Sequence, residues 1–359
     1  MRRIPVVCVV FAATLVACVA LAADTLPDRL SDEEFWRIAT EFSERAGTFQ
    51  SDNLLSNERW FQHVVPPLVQ RARQHRVYVG VGPEQNFTYI VALKPKMAFI
   101  VDIRRGNFDF HLIYKALFEL SADRAEFVSR LFSRPRPEGL SAKSTVDEIF
   151  TAIAGVQATD TLYSRNMRAI VNHLTKVHQF QLSSADILRM QHIYNAIYIY
   201  GPSIQYSTTS NAGRRITREP TYAELMKAVD LAGFEHSFLA TEDAFEWMKK
   251  FESDNRLVPV MGDLAGPKAL RSVGRYLAER EAMVSAFYLS NVEEYLKQDG
   301  KLTAFCANAT TLPVDESSTF IRSYRSGTPD LGFELLSDLS PMWEDLESCK
   351  AVNEAKSEK

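Results

Sequence analysis

Two short apolar segments, separated by one short helix, constrain the fold of this chain more than any other feature of its sequence. Residues 77–82 are apolar and end in a Gly-x-Gly turn, and residues 97–102 form a second apolar run that ends in a carboxylate. Residues 83–93 between them have apolar positions at helical spacing. A strand, a helix and a strand within about 30 residues form a βαβ unit, in which the two strands are parallel. The sequence therefore predicts an α/β fold.

The same pattern returns in the C-terminal third of the chain. Residues 257–263 and 283–289 are predicted strands, and a helix is predicted over 265–280 between them. Residues 144–255 carry apolar positions at helical spacing without a convincing strand. We therefore predict a Rossmann-like architecture, in which a mostly parallel sheet has helices on both faces and a large all-helical insertion.

The composition is that of an ordinary globular protein, because apolar residues make up 46% of the chain and charged residues 24%. These values exclude a disordered chain and a multispan membrane protein. The pattern predicts six parts: a signal peptide (1–22), N-terminal helices (23–76), the first half of the Rossmann-like domain (77–132), the helical insertion (133–255), the second half of that domain (256–345) and a frayed tail (346–359).

The first residues have the pattern of a secretory signal. Arg2 and Arg3 precede an apolar run without a charge, and Ala20-Leu21-Ala22 supplies small residues for cleavage. A lipoprotein signal that would leave Cys18 lipidated is the second choice. Either signal predicts an exported protein, periplasmic or extracellular. The run is short for a spanning helix, so no integral membrane domain is expected after cleavage.

Two cysteines, Cys306 and Cys349, remain after the predicted cleavage. An even pair in an exported protein is compatible with one disulfide, but two separate thiols remain an equal alternative. Neither cysteine has a CxxC partner, and the spacing of His173, His178 and His192 fits neither HExxH nor a pair on one helical face. These histidines are interpreted as structural, and no metal site is predicted.

The charge of the chain gives little indication of a polyanionic partner. Lysine and arginine total 41 against 45 acidic residues, a formal net charge of −4, and no basic stripe is present. Nucleic-acid binding usually requires such a stripe, so the expected partner is a small-molecule ligand rather than a nucleic acid. The sequence indicates neither an oligomeric state nor a substrate.

The glycine turn and the following carboxylate are the strongest candidates for ligand binding. Gly80 and Gly82 lie between a predicted strand and a helix N-terminus, where a ligand can approach the backbone closely. Asp102 follows Gly82 by 20 residues, at the end of the next strand, where a carboxylate can accept the hydroxyls of a ribose. The alternatives are that the glycines only make a tight turn and that Asp102 pairs with Arg104 or Arg105 or caps the following helix.

Four further polar residues are candidates at the same edge of the sheet. Glu84 and Asn86 lie at the start of the first helix, where polar residues are also favoured for local reasons. Asp263 and Asn291 each follow a later predicted strand, and each has the alternative role of a helix N-cap.

The arrangement of these residues resembles that of class I S-adenosylmethionine-dependent methyltransferases. Gly80, Gly82 and Asp102 match the first motif of that family and the acidic residue that ends its second strand. The resemblance implies S-adenosylmethionine as the cofactor, with Asp263 reaching the adenine. It also implies that Asn291 and Glu84, the two candidate catalytic residues, face the reacting end.

The sequence departs from the methyltransferase pattern at two positions. Tyr78 stands where the first strand has an acidic residue, and Glu84 stands where the third glycine is expected. Gln85 replaces the third glycine of a dinucleotide fingerprint, which counts against NAD and FAD, and no Gly-Lys-Ser/Thr of a P-loop occurs. Residues 80–90 and 99–107 are similar to an uncharacterised exported bacterial family with this fold.

Two functional hypotheses follow. In the first, the chain binds S-adenosylmethionine or another adenosine-containing ligand and transfers a methyl group. In the second, it is a non-catalytic binding or scaffold protein, periplasmic or extracellular, that retains the fold. Export favours the second hypothesis, because the cofactor is made in the cytoplasm, whereas the glycine turn and Asp102 favour the first.

Overall fold

The computed structural model describes residues 24–206, 219–328 and 332–357. The predicted signal peptide and Cys18 lie outside these residues. Six strands form one sheet in the order β3-β2-β1-β4-β5-β6. The strands are β1 (Val77–Gly80), β2 (Met97–Asp102), β3 (Leu257–Met261), β4 (Val284–Ser290), β5 (Thr319–Thr328) and β6 (Gly332–Pro341).

The sheet is mostly parallel, as the sequence predicts. Strands β1 to β5 are parallel to their neighbours, and β6 alone runs antiparallel, against β5. Every residue of β1 and β2 is buried, which is the pattern of strands that are covered on both faces. The α/β class and the four predicted strands are therefore confirmed. The long β5–β6 hairpin was not predicted.

Helices form the rest of the described structure. The α-helices are α1 (Asp32–Glu41), α2 (Val65–Arg71), α3 (Gln85–Leu93), α4 (Arg105–Leu120), α5 (Arg124–Leu131), α6 (Val146–Ala154), α7 (Asp160–Asn172), α8 (Ser184–Tyr200), α9 (Tyr222–Met226), α10 (Glu242–Ser253), α11 (Ala269–Ala278), α12 (Val292–Gln298), α13 (Leu302–Ala309) and α14 (Met342–Ser357). Short 3-10 helices span Phe61–Val64 and Gly201–Ser203, and a π-helical turn spans His173–Val177.

The connection between β2 and β3 consists of α4 to α10, apart from two isolated bridges in its described residues. Helix α4 begins shortly after the end of β2 and packs against β2 and β3. This packing fixes the direction of the helix relative to the sheet. Its side chains from Phe108 to Phe118 are all buried. None of the described helices has both the length and the apolar character needed to cross a bilayer.

The helix predicted over 265–280 begins later than expected, because α11 starts at Ala269. Residues 263–268 instead form a turn around the carboxylate of Glu44, which accepts hydrogen bonds from the backbone N–H groups of Asp263 and Lys268. A contact distant in sequence therefore overrides the local helical pattern.

The cysteine pair, which the sequence left open, forms a disulfide. Cys306 of α13 and Cys349 of α14 are bonded, with their Cα atoms 5.5 Å apart. The bond closes a loop of 43 residues that contains the β5–β6 hairpin. It therefore ties the last helix, and through it the edge of the sheet, to α13.

Candidate functional site

The strand order reverses between β1 and β4. From β1 the chain proceeds outward through β2 to β3, and it then returns to place β4 and β5 on the other side of β1. The connections after β1 and β4 therefore diverge, which leaves a crevice at the carboxyl ends of these two strands. In open parallel sheets this switch point is where ligands bind.

The glycine turn lies at this switch point, and its two glycines have different roles. A Cβ atom on Gly80 would lie 2.0 Å from Oδ1 of Asn86, so this glycine makes room for a side chain of the protein. Gly82 has φ +79°, and a Cβ atom there would meet no atom within 4 Å. Gly82 itself is buried. Of the two glycines, Gly82 is thus the one beside which an added Cβ atom has open space.

The side chain of Asn86 holds the glycine turn from inside. Its Nδ2 donates to the carbonyl oxygens of Val81, Gly82 and Pro83, and its Oδ1 accepts from the hydroxyl of Tyr78 at 2.9 Å. This contact gives a role to Tyr78, which departs from the methyltransferase pattern. In this conformation Asn86 is therefore a scaffold for the turn.

Asp102 contacts the same turn from β2. Its Oδ2 accepts from the backbone N–H of Gly82 at 3.1 Å and from Nη2 of Arg104 at 2.9 Å. Its Oδ1 accepts from the backbone N–H and Nε of Arg104, at 2.9 and 3.0 Å. These four donors fill the acceptor sites of the carboxylate. The alternative that Asp102 pairs with Arg104 is therefore confirmed, and a ribose could reach Asp102 only by displacing Arg104.

Glu84 is fully buried beside the turn and has one oxygen without a partner. Its Oε1 accepts from the backbone N–H of Ser56 at 3.1 Å, whereas its Oε2 makes no hydrogen bond with any residue that the structure describes. Burial raises the pKa of Glu84 to about 7, and the nearby charge of Glu58 acts in the same direction. A carboxyl group with these properties can gain or lose a proton near neutral pH, which is typical of functional sites.

A second buried carboxylate, Glu58, lies in the same polar cluster. Its Oε1 accepts from the hydroxyls of Tyr288 and Ser290 at 2.7 and 2.6 Å, and its Oε2 accepts from Gln85 Nε2 and Ser337 Oγ, both at 2.9 Å. Glu58 was not predicted as a site residue, because it lies in an irregular segment without a motif. Through these hydrogen bonds Glu58 connects α3, the helix after β1, with strands β4 and β6.

His111 contacts the other side of the glycine turn. Its Nε2 donates to the carbonyl oxygen of Gly82 at 2.9 Å, and its Nδ1 makes no hydrogen bond with a described residue. Burial lowers the pKa of His111 to about 4, so the imidazole is neutral at physiological pH. The turn is thus held by three buried side chains: Asn86, Asp102 and His111.

The segment 43–58 crosses the carboxyl edge of the sheet and covers these groups. Glu44 binds the turn after β3, the backbone N–H of Gly47 donates to the carbonyl of Ile103 after β2, and Ser56 and Glu58 contact the residues after β1 and β4. The N-terminal part of the chain therefore closes the crevice.

Asp263 and Asn291 lie at the same edge but have other contacts. Asp263 accepts from the backbone N–H of Ala265 and from Nζ of Lys301, both at 2.9 Å, and it does not cap α11. Its strand is two positions from β1, a distance of about 10 Å. Asn291 occupies the N-cap position of α12, but its side chain makes no capping hydrogen bond. The N-cap alternative is therefore wrong for Asp263, whereas for Asn291 the N-cap position is confirmed without a side-chain hydrogen bond.

A second cluster was not predicted. His173 and His178 both point Nε2 at Oε2 of Glu119, each at 2.5 Å. The sequence analysis interpreted these histidines as structural, because positions five apart do not share a face of an α-helix. The π-helical turn His173–Val177 changes that spacing and brings the two rings together.

These features define an α/β protein with a mostly parallel sheet and a glycine turn at its switch point. The model of a family described as a domain of unknown function (DUF7790) matches residues 54–194 and 207–339. The chain therefore belongs to this family. The matched residues include Glu58, the glycine turn and Asp102. No curated protein matches the chain significantly.

Proposed function

We propose that this chain binds an adenosine-containing ligand, S-adenosylmethionine first among them, at the crevice between β1 and β4. The observation that supports the proposal most is the open space beside Gly82, at the point where the strand order reverses. The order of the strands is that of doubly wound, Rossmann-like sheets, apart from the antiparallel β6. The helices between β2 and β3 would then be an insertion into such a sheet.

The proposed ligand would take contacts that the protein now makes with itself. A ribose would replace the side chain of Arg104 on Asp102, and the backbone of Gly82 would approach the amino-acid part of the ligand. Asp263 is the proposed contact for adenine, and Glu84 and Asn291 would face the reacting end. When bound, S-adenosylmethionine supplies an activated methyl group, and the protein contributes chiefly by holding the reactants in line.

We also propose that the protein is exported. The sequence at its start has the pattern of a signal peptide. The Cys306–Cys349 disulfide supports the same proposal, because such bonds persist in oxidising compartments and are rare in the cytosol.

A second candidate function is that of a non-catalytic binding or scaffold protein that retains the fold. The observation in its favour is that side chains of the protein already occupy the hydrogen-bonding groups at the carboxyl ends of the strands. Arg104 saturates Asp102, Asn86 fills the glycine turn, and Glu44 occupies the turn after β3. In this case the edge would hold no adenosine-containing ligand at all.

Thermal unfolding with S-adenosylhomocysteine tests the two candidates. A ligand that binds only the folded state adds about 2.7 kcal/mol of stability at 100 times its Kd, so the wild-type Tm is expected to rise. In Gly82→Ala the new methyl group fills the space beside the turn, and the rise should disappear.

Gly139→Ala is the matched control for the backbone strain. Gly139 has φ +82°, and a Cβ atom there also meets nothing within 4 Å. It should keep the rise in Tm. An unchanged Tm of the wild-type protein at millimolar S-adenosylhomocysteine, S-adenosylmethionine and adenosine would reject the proposal in favour of the non-catalytic alternative.

A further inference from the structure

The cluster of Glu119, His173 and His178 has the composition of a transition-metal site. Two imidazole nitrogens and one carboxylate oxygen lie within 4.8 Å of one another. This donor set is found in catalytic zinc sites and in non-haem iron sites, and imidazole ligands favour transition metals over Mg²⁺ or Ca²⁺. The three side chains come from helix α4 and from the turn that follows α7.

The backbone is shaped to bring the two histidines together. In an α-helix, residues five apart are separated by about 140° around the axis, because each residue turns by about 100°. Here the backbone N–H of His178 donates to the carbonyl of His173 at 3.1 Å, which is the i to i+5 bond of a π-helix. The wider turn places both rings on one side of the helix, and such π turns occur frequently at functional sites.

Neighbouring residues orient both kinds of ligand. Asp32 Oδ1 lies 2.8 Å from Nδ1 of His178, and this carboxylate is itself held by Nδ2 of Asn255 at 2.8 Å. Lys115 Nζ donates to Oε1 of Glu119 at 2.8 Å, which leaves Oε2 to face the histidines. A carboxylate behind a ligating histidine fixes its tautomer and raises its affinity for metal.

The side chains of the cluster are largely buried but keep partial exposure to solvent. The exposed fractions of the side chains are 9% for Glu119, 9% for His178 and 17% for His173. Three protein ligands with partial exposure leave a fourth position for water or a substrate, whereas closed structural zinc sites have four protein ligands. Zinc–ligand bonds are about 2.0–2.2 Å long. The oxygen of Glu119, which now lies 2.5 Å from each histidine nitrogen, would therefore have to move away from both to admit the ion.

We propose that Glu119, His173 and His178 bind one divalent transition-metal ion of the zinc class, with Asp32 and Lys115 as positioning residues. The site lies at the opposite edge of the sheet from the glycine turn, since α4 carries Glu119 about 21 Å along its axis from Arg105. The proposal is therefore independent of the proposed adenosine ligand.

Zinc binding to the purified, chelator-treated protein is the direct test. We expect one Zn²⁺ per chain, with the affinity measured by competition against a chromogenic chelator. The double variant H173Q/H178Q should bind at least 100-fold more weakly. Asp32→Asn, which removes the charge behind His178, should weaken binding 10- to 100-fold.

His192→Gln is the matched control, because His192 is 70% exposed and lies outside the cluster. It should bind Zn²⁺ as tightly as the wild type. Equal affinity of the wild type and H173Q/H178Q, or no stoichiometric binding by the wild type, would overturn the proposal and leave a cluster held by hydrogen bonds alone.

A measurement on the wild-type protein alone covers the case in which the variants do not fold. Acylation of histidines by diethyl pyrocarbonate is followed by peptide mass analysis, with and without Zn²⁺. Zn²⁺ should slow the modification of His173 and His178 at least tenfold and leave that of His192 unchanged. Equal rates with and without Zn²⁺ at all three histidines would overturn the proposal.

Discussion

Glu84 combines complete burial with an oxygen that has no hydrogen-bond partner among the described residues, and burial favours the protonated form of its carboxyl group. Because burial raises its pKa to about 7 in the folded state, the folded protein keeps Glu84 protonated at pH values where the unfolded chain has already lost the proton. The stabilisation from the neutral form is complete below about pH 4.5 and is lost as the pH rises through 7.

Glu84→Gln should therefore change the pH dependence of stability. The free energy of unfolding of Glu84→Gln minus that of the wild type should rise by about 1–3 kcal/mol from pH 5 to pH 8. The wild type loses stability over this range as Glu84 loses its proton, whereas glutamine has no proton to lose. Urea unfolding at several pH values measures this difference. Glu316→Gln, at an exposed glutamate, is the control. A difference between Glu84→Gln and wild type that is constant over this range would contradict the assignment.

The Asp102–Arg104 pair gives a second prediction at the residue scale. Asp102→Ala leaves Arg104 nearly buried without its carboxylate and removes the acceptor for the Gly82 N–H. We expect a loss of about 3–5 kcal/mol in the free energy of unfolding, measured with urea. The double variant D102A/R104L should lose less, because no charge remains unpaired. A loss below about 1 kcal/mol in Asp102→Ala would show that the pair does not hold the turn.

Part of the site was predictable from single residues, and part was not. Gly80, Gly82, Asn86 and Asp102 do come together, because the order of a βαβ unit places them at one edge of the sheet. Glu58 could not be predicted, because its contacts come from three distant parts of the chain.

At the scale of elements, the segment 43–58 covers the carboxyl edge of the sheet. Glu44 attaches this segment to the turn after β3. A Cβ atom on Gly266 would lie 1.9 Å from Oε1 of Glu44. Strands β1 to β4 were predictable because continuous apolar runs between glycine and polar residues are typical of buried parallel strands. The start of helix α11 was not predictable, since the distant carboxylate of Glu44 fixes the turn before it. The π turn was not predictable either, since it departs from α-helical spacing.

Gly266→Ala should release the segment 43–58 from the turn after β3. The added methyl group clashes with Glu44, so we expect a loss of about 1–3 kcal/mol in stability and faster hydrogen exchange in this segment. Hydrogen-exchange mass spectrometry measures the second effect. Gly106→Ala, where a Cβ atom meets nothing within 4 Å, is the control. Unchanged exchange in residues 43–58 of Gly266→Ala would contradict this role of Glu44.

At the scale of the whole molecule, the order of the predicted elements indicates the α/β class. It does not indicate how the C-terminal part of the chain is held to the sheet. The β5–β6 hairpin was missed because β6 has no continuous apolar run and is formed by backbone pairing with β5. The disulfide was open in the sequence, since two cysteines do not reveal whether they meet.

Removal of the disulfide should destabilise the whole protein. The bond closes a loop of 43 residues, so the variants Cys306→Ser and Cys349→Ser should each lose about 2–4 kcal/mol in the free energy of unfolding. Denaturant midpoints with and without dithiothreitol measure the effect, and the double serine variant should not respond to the reductant. A wild-type midpoint that is unaffected by complete reduction would contradict a stabilising role.

The central claim is that the open space beside Gly82 is part of a ligand site, and a calorimetric titration with S-adenosylhomocysteine tests it most directly. We predict binding of one ligand per chain to the wild type and to Gly139→Ala, and no measurable binding to Gly82→Ala. Absence of binding to the well-folded wild type, or equal binding to Gly82→Ala, would contradict the claim.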